Sequence, residues 1–312
     1  MSKLIDELSS AQTKGYDYAV FSGGGAKGAA YSGVYETLVE TGISKDLKSI
    51  AGSSAGALTA AFIACGISTE DFKKTFSETS LGKLQGGGII QKDAKPLYTM
   101  IHDTINNTIT KHFQENDVAK QCDARIVTLN KELETLKKDN SPESKQKIEL
   151  LIEDKSKLET FAKDPQAQAN LNAKAQNKDS KVTFRDLDLL HTIDPDKFKG
   201  LIVTATNKKT GNLTIFDAKN SPDVEIALAC RASASIPGRF KPVVIDGINY
   251  VDGGYRNNIP QNFFEKNERD AKNITNSSAE IKEAKDQGRT LAIAFGSDSP
   301  DSEAHIAVYI VN

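Results

Sequence analysis

Two glycine-framed stretches and one acidic turn carry the residue types that acyl transfer through a hydroxyl requires. Gly52-Ser53-Ser54-Ala55-Gly56 is a Gly-x-Ser-x-Gly run that closes the apolar segment Ser49-Ile50-Ala51 and opens a small-residue helical pattern. This is the layout of a nucleophile elbow, in which a tight strand-to-helix turn presents the serine at its tip above a helix N-terminus. A Cβ at position 52 or 56 would crowd such a turn. The pentapeptide alone also occurs in ordinary loops, so its weight comes from its neighbours: Gly23-Gly24-Gly25-Ala26-Lys27-Gly28 upstream and Asp252-Gly253-Gly254 downstream.

A serine acyl transferase or hydrolase needs a nucleophile, a proton acceptor and preorganised donors where the carbonyl oxygen becomes negative. Ser54 supplies the first. Gly23-Gly24-Gly25 can supply the last, because glycines let a backbone approach a substrate and turn its N–H groups inward at the positive end of the following helix. Each such donor is worth roughly 2.7–4 kcal/mol in the transition state. Lys27 reads as a solvated side chain of that helix's first turn, with a further positive charge near the oxyanion as the alternative. For the base there are two arrangements. Asp252 at a strand end, with two glycines allowing close approach, gives a Ser–Asp pair; Ser54, Asp252 and His305 also stand in the order of an α/β-hydrolase triad. His305 lies in an edge or truncated strand with no loop to project it, and His102, His112 and His191 fall in helical or loop contexts that read as surface or boundary. The two-residue site is favoured.

The first glycine loop has a rival reading. Gly23-x-Gly25-x-x-Gly28 after a strand and before a helix matches the dinucleotide fingerprint, which wants an acid at the end of the second strand. Here that strand end holds Gly52-Ser53-Ser54, and the nearby Asp46 precedes the strand. No Gly-x-x-x-x-Gly-Lys-Ser/Thr is present, so the loop is not a Walker loop either.

The elements that must position these residues follow from periodicity. Asp17–Ser22 is short, apolar and glycine-bounded, as a buried parallel strand is; Ala30, Val34 and Leu38 then recur at helical spacing, and Leu47–Ala51 gives a second strand after Gly42. This β-α-β-α series suits a doubly wound sheet. Gly86-Gly87-Gly88 reads as a mobile loop and Lys95 to about His112 as a helix. From about 113 to 181 the pattern changes: Val118, Cys122, Ile126, Leu129, Leu133 and Leu136, a break at Asn140-Ser141-Pro142, then Ile148, Leu151, Ile152, Leu158 and Phe161 predict an inserted antiparallel helical hairpin. A solvated arm is the plain reading, a lid or partner-docking arm the sharper one. Pro165–Asp179, rich in Ala, Gln and Asn, reads as a loose return. The core resumes with a strand over Phe198–Thr206, a partner at Leu213–Phe216, a small-residue helix from Val224 to Ser235, and the hairpin Val243–Ile245 with Ile248–Val251. Charged Glu265–Arg289 precedes a last strand, Thr290–Phe295.

Composition bounds the rest. A 312-residue chain, 38% hydrophobic and 26% charged, can bury a sizeable core as one domain spanning 1–312 with an insertion. Its formal net charge of −2 gives no general attraction to nucleic acid or anionic membrane. The three cysteines, Cys65, Cys122 and Cys230, lack metal-ligand partners and read as buried apolar residues in a reducing compartment. Met1–Gln12 has no apolar core segment, so no signal peptide is expected, and no later run approaches the length of a membrane span, so the protein should be soluble. The apolar ending His305–Asn312 has no terminator, which predicts a longer native chain with a further C-terminal domain.

The three motifs in order resemble the patatin-like phospholipase family. Thr183-Phe184-Arg185-Asp186-Leu187, Ala232-Ser233-Ala234-Ser235-Ile236-Pro237 and Asn258-Ile259-Pro260 add lesser matches, so the likeness spans about Asp17 to Pro260. The resemblance implies an α/β three-layer sandwich with a mostly parallel central sheet. It implies Ser54 as nucleophile, Asp252 as base and the loop Gly23, Gly24, Gly25, Ala26, Lys27, Gly28 as oxyanion hole, acting on phospholipid esters with no catalytic histidine, no calcium and no other metal or cofactor. The long interval between Ser54 and Asp252 looks more like bacterial effector phospholipases delivered into host cells. That likeness implies peripheral membrane contact and a host protein activator such as ubiquitin. A host-protein-binding scaffold with a closed hydrolase site is the alternative.

Overall fold

A computed structural model of the chain describes residues 15–78, 84–87, 91–177, 179–260 and 290–295, together with the backbone of 306–311. Met1–Gln12, Gly88, the charged stretch Glu265–Arg289 and His305 lie outside the described residues.

The centre of the sheet is parallel, in the order β3 (Gly200–Asn207), β2 (Ser49–Ser53), β1 (Tyr18–Phe21), β7 (Thr290–Phe295). Strands buried on both faces must be apolar at successive positions. Accordingly Ala19, Phe21, Ile50, Leu201 and Val203 enter the main core, while the alternate Val20, Ala51 and Ile202 form a smaller cluster on the opposite face. Antiparallel strands extend the sheet at both ends and make it mixed. These are β4 (Leu213–Phe216) on β3, β6 (Ile248–Asp252) on β3, β5 (Val243–Ile245) on β6, and β8 (Ile306–Val311) on β7.

The register on β3 decides where the chemistry lies. Val203 pairs with Gly52 and Phe216, Thr204 with Ser53 and Ile215, and Ala205 with Asp252 and Thr214. A strand residue has one neighbour on each edge. Hence β4 runs along one edge of β3, while β2 and β6 lie end to end along the other.

Flanking helices are α1 (Tyr31–Glu40), entered through a 3-10 turn at Gly25–Ala30, α2 (Ala55–Ala64), α3 (Thr69–Glu78) and α4 (Lys95–Glu115). Helix α2 is buried from Gly56 to Ala64, which its run of small residues permits by letting the backbone lie close to the sheet. In the described part of the glycine cluster Asp93 N–H donates to Gly87 O at 2.8 Å, and Gly87 N–H to Asp93 Oδ1 at 3.2 Å.

The insertion holds α5 (Val118–Leu136) and α6 (Pro142–Ala162), an antiparallel hairpin, with Ser141 capping α6 by accepting from Ser144 N–H. One expectation is corrected. Pro165–Gln176 is a helix, α7, because Asp164 caps it through Ala167 N–H at 2.9 Å, a proline stands in its first turn, and Leu171 and Ala175 are buried. The arm has its own core, in which Val118, Cys122, Leu129, Leu133, Leu151, Leu158 and Phe161 close on Ile193 of α8 (Phe184–Ile193). Helix α9 (Ile226–Ser233) returns the chain to the sheet. All three cysteines are buried and free.

Candidate active site

The elbow is built as the glycine pattern requires. Ser54 sits between β2 and α2 at φ 53, ψ −123, a region that a residue with a Cβ enters at a cost of order 1–3 kcal/mol. Glycine on both sides is what permits it. A Cβ on Gly52 would run into the backbone of Gly56, and one on Gly56 into the Phe21 carbonyl. The hydroxyl of Ser54 donates to Asp252 Oδ2 at 2.7 Å, and the other carboxylate oxygen accepts Gly254 N–H at 2.8 Å. The adjacent serine takes a different part: Ser53 Oγ donates to Asn257 O at 2.6 Å and so accepts from Thr204 Oγ1. A Cβ on Gly253 would meet Thr204 O, so the Asp-Gly-Gly turn lies directly against β3.

Asp252 is 7% exposed and faces no cation among the described residues. Burial pushes its carboxyl above the ordinary carboxylate value, and the bonds from Ser54 and Gly254 pull it only part of the way back. Its backbone is fixed as well, by Thr206 Oγ1 donating to Asp252 O at 2.9 Å.

The glycine loop lies beside Ser54, with the Cβ position of Gly23 only 3.1 Å from Ser54 Cβ. Its six residues are not equivalent. Gly23 N–H donates to Asn258 O and Lys27 N–H to Gly24 O, both at 3.1 Å, so neither amide is free for an oxyanion. Gly28 is a packing residue, since a Cβ there would come within 2.8 Å of Ala55 Cβ. The amides of Gly24, Gly25 and Ala26 have no partner among the described residues, as expected at the start of a 3-10 turn. Gly25, at φ +55, faces open space. Ala55, the first residue of α2, adds a main-chain N–H at a helix N-terminus directly after Ser54. Lys27 is half-buried.

The three described histidines, His102, His112 and His191, have their partners elsewhere. His112 is not a surface residue: it is 1% exposed, edge-on to Phe198 with ring centroids 4.8 Å apart, and burial lowers its pKa. His191 bonds Phe198 O at 2.7 Å and His102 bonds Glu225 at 2.9 Å. Among the described residues no group of three or more His, Cys, Asp or Glu is placed to hold a metal ion, and no helix is long and apolar enough to cross a membrane. Sequence reasoning gave no role to Ser233, Thr204, Thr206, Asn257 or Asn258. Ser233 and Asn258 lay inside recognised motifs, whereas the threonines had no signal beyond their place in a strand.

The family model described as patatin-like phospholipase matches residues 19–264, and the chain belongs to that family. Among curated proteins, the uncharacterized YqhO of Bacillus subtilis (strain 168) is 46% identical over 69 residues, 22% of this chain and 23% of that protein. Among solved structures, VipD from Legionella pneumophila superposes with a TM-score of 0.51 at 21% identity, covering 77% of this chain and 46% of that one. ExoU of Pseudomonas aeruginosa in its complex with SpcU gives a TM-score of 0.46 at 27% identity, covering 72% and 37%. The chain thus spans less than half the length of each of these relatives.

Proposed function

We propose that the chain is a lipid acyl hydrolase of the phospholipase A or lysophospholipase type, working through Ser54 and Asp252. The observation that carries the reading is the 2.7 Å bond from Ser54 Oγ to Asp252 Oδ2 at a strained elbow, next to a glycine loop in which the amides of Gly24, Gly25 and Ala26 have no partner among the described residues. Asp252 takes the proton as Ser54 Oγ attacks the ester carbonyl, and the amides of Gly24, Gly25, Ala26 and Ala55 hold the oxyanion. The proton passes to the leaving alcohol. Water, deprotonated by Asp252, then cleaves the acyl-enzyme by the same steps in reverse, and the fatty acid leaves. Family membership supports lipid esters as the substrate class.

The reading extends to action as a bacterial effector at host membranes, with a host protein such as ubiquitin as activator; the support for that extension is the resemblance alone. Fatty-acid release from mixed phospholipid vesicles, by wild type and Ser54→Ala with and without eukaryotic lysate, tests both levels. Release by wild type only with lysate supports a gated hydrolase, and no release from folded protein under any condition overturns the reading.

A second reading has one observation in its favour. Val127, Leu150 and Ile152 on the arm are 54%, 59% and 52% exposed, as a surface for a protein partner would be. On that reading the site is closed, and a serine-reactive fluorophosphonate leaves Ser54 unlabelled.

A further inference from the structure

One short segment grips the main chain of both members of the pair. Ser54 N–H donates to Ser233 Oγ at 2.8 Å, and two residues further on Ser235 O accepts Asp252 N–H at 3.0 Å. Ser233 and Ser235 are both fully buried. The segment is itself fastened. Ser235 Oγ donates to Arg231 O at 2.8 Å and accepts from Arg231 Nη1 at 2.5 Å, while the buried Arg231 guanidinium also donates to Asp93 O at 2.8 Å and Lys241 O at 3.3 Å. At the other end of α9, the Glu225 carboxylate accepts from Tyr98 Oη at 2.9 Å and bonds His102 Nδ1 at 2.9 Å, both on α4. Helix α9 is therefore pinned at each end.

We propose that the Ser233-Ala234-Ser235 turn is a positioning clamp that fixes the separation of Ser54 and Asp252, with Ser233 holding the nucleophile's backbone in its left-handed conformation. The inference rests on the hydrolase reading and assigns residues which that reading leaves without a role. Two consequences follow from the geometry. The Ser54 amide is occupied, so it cannot serve the oxyanion and leaves that task to Ala55 and the glycine loop. Without the Ser233 acceptor, a buried N–H loses the one partner it has among the described residues, and the strained φ of Ser54 loses a restraint.

The test uses Ser233→Ala and the near-isosteric Ser233→Cys, whose sulfur is a weak acceptor. In a folded variant kcat falls by about 10–100-fold with KM within about twofold, as a displaced nucleophile demands. Fluorophosphonate labelling slows in proportion, and the Ser54 amide hydrogen exchanges at least about 10-fold faster, a readout that needs no turnover. Unchanged exchange at Ser54, or unchanged kcat, in either folded variant overturns the clamp alone. A folded wild type inert to the probe both with and without eukaryotic lysate overturns the hydrolase reading and the clamp together.

Discussion

Ser53 and Asp252 pair with consecutive residues of β3, Thr204 and Ala205. Because β2 and β6 meet end to end on that edge, the residue after Ser53 and the last residue of β6 arrive at hydrogen-bond distance without any loop having to reach across the sheet. The rigidity of the pair is that of the central sheet, and the predictions follow from it.

Ser54→Ala and Asp252→Ala each lower ester hydrolysis by at least about 1,000-fold, and the double variant is no worse than either single one, since the two act as a unit. His305→Ala retains activity. A folded but inactive His305→Ala protein would falsify the two-residue site in favour of a triad.

The pH profile follows from the burial of Asp252. Its carboxyl is raised above the ordinary 3.8 in the folded protein, and only its ionised form accepts the Ser54 proton. Accordingly kcat/KM falls, as pH drops, through an apparent value above 3.8. Stability has the opposite sign: the charged form is the one the fold disfavours, so the contribution of this group is greatest at low pH and declines as pH rises through the folded value. Asp252→Asn should therefore be inactive yet more stable at neutral pH, by on the order of 1 kcal/mol in denaturant titration.

Two glycines separate a steric need from a mere tolerance. Gly52→Ala drives a Cβ into the Gly56 backbone and should cost more than about 3 kcal/mol or abolish soluble expression. Gly33, within α1, has nothing within 4 Å of its Cβ position and an ordinary helical φ. Gly33→Ala should raise stability by about 0.5–1 kcal/mol and leave fluorophosphonate labelling unchanged.

The arm should come apart by itself. Leu158 is fully buried in a core distinct from that under the sheet, so Leu158→Ala costs about 2–5 kcal/mol of local stability. Limited proteolysis should then cut within 118–162 while Ser54 still reacts with fluorophosphonate. Loss of labelling together with the arm would make it part of the access route to the site.

What could be read from the chain was whatever is forced locally. A Cβ cannot be accommodated at Gly52 or Gly56, so the elbow announces itself in five residues, and continuous apolar runs mark β1, β2 and β3. The bond from the Ser54 amide to the Ser233 hydroxyl, and that from the Ser53 hydroxyl to the Asn257 main-chain carbonyl, join groups far apart in sequence; any serine could supply the first acceptor and any residue the second, and only the tertiary fold selects which. Helix α7 was misread because Ala, Gln and Asn give no apolar stripe, although Asp164 followed by Pro165 is a helix start that composition obscured. The burial of His112 came from a partner, Phe198, on a distant segment.

The end-to-end meeting of β2 and β6 also orders events in time. Ser54 leaves the ribosome 198 residues before the carboxylate beside it. A nascent or truncated chain that stops short of β6 leaves Ala205, Thr206 and Asn207 uncovered on that edge of β3 and the serine without its carboxylate. Such a fragment holds the serine without the carboxylate, so the order of β2 and β6 along the chain keeps the pair apart until β6 has been made.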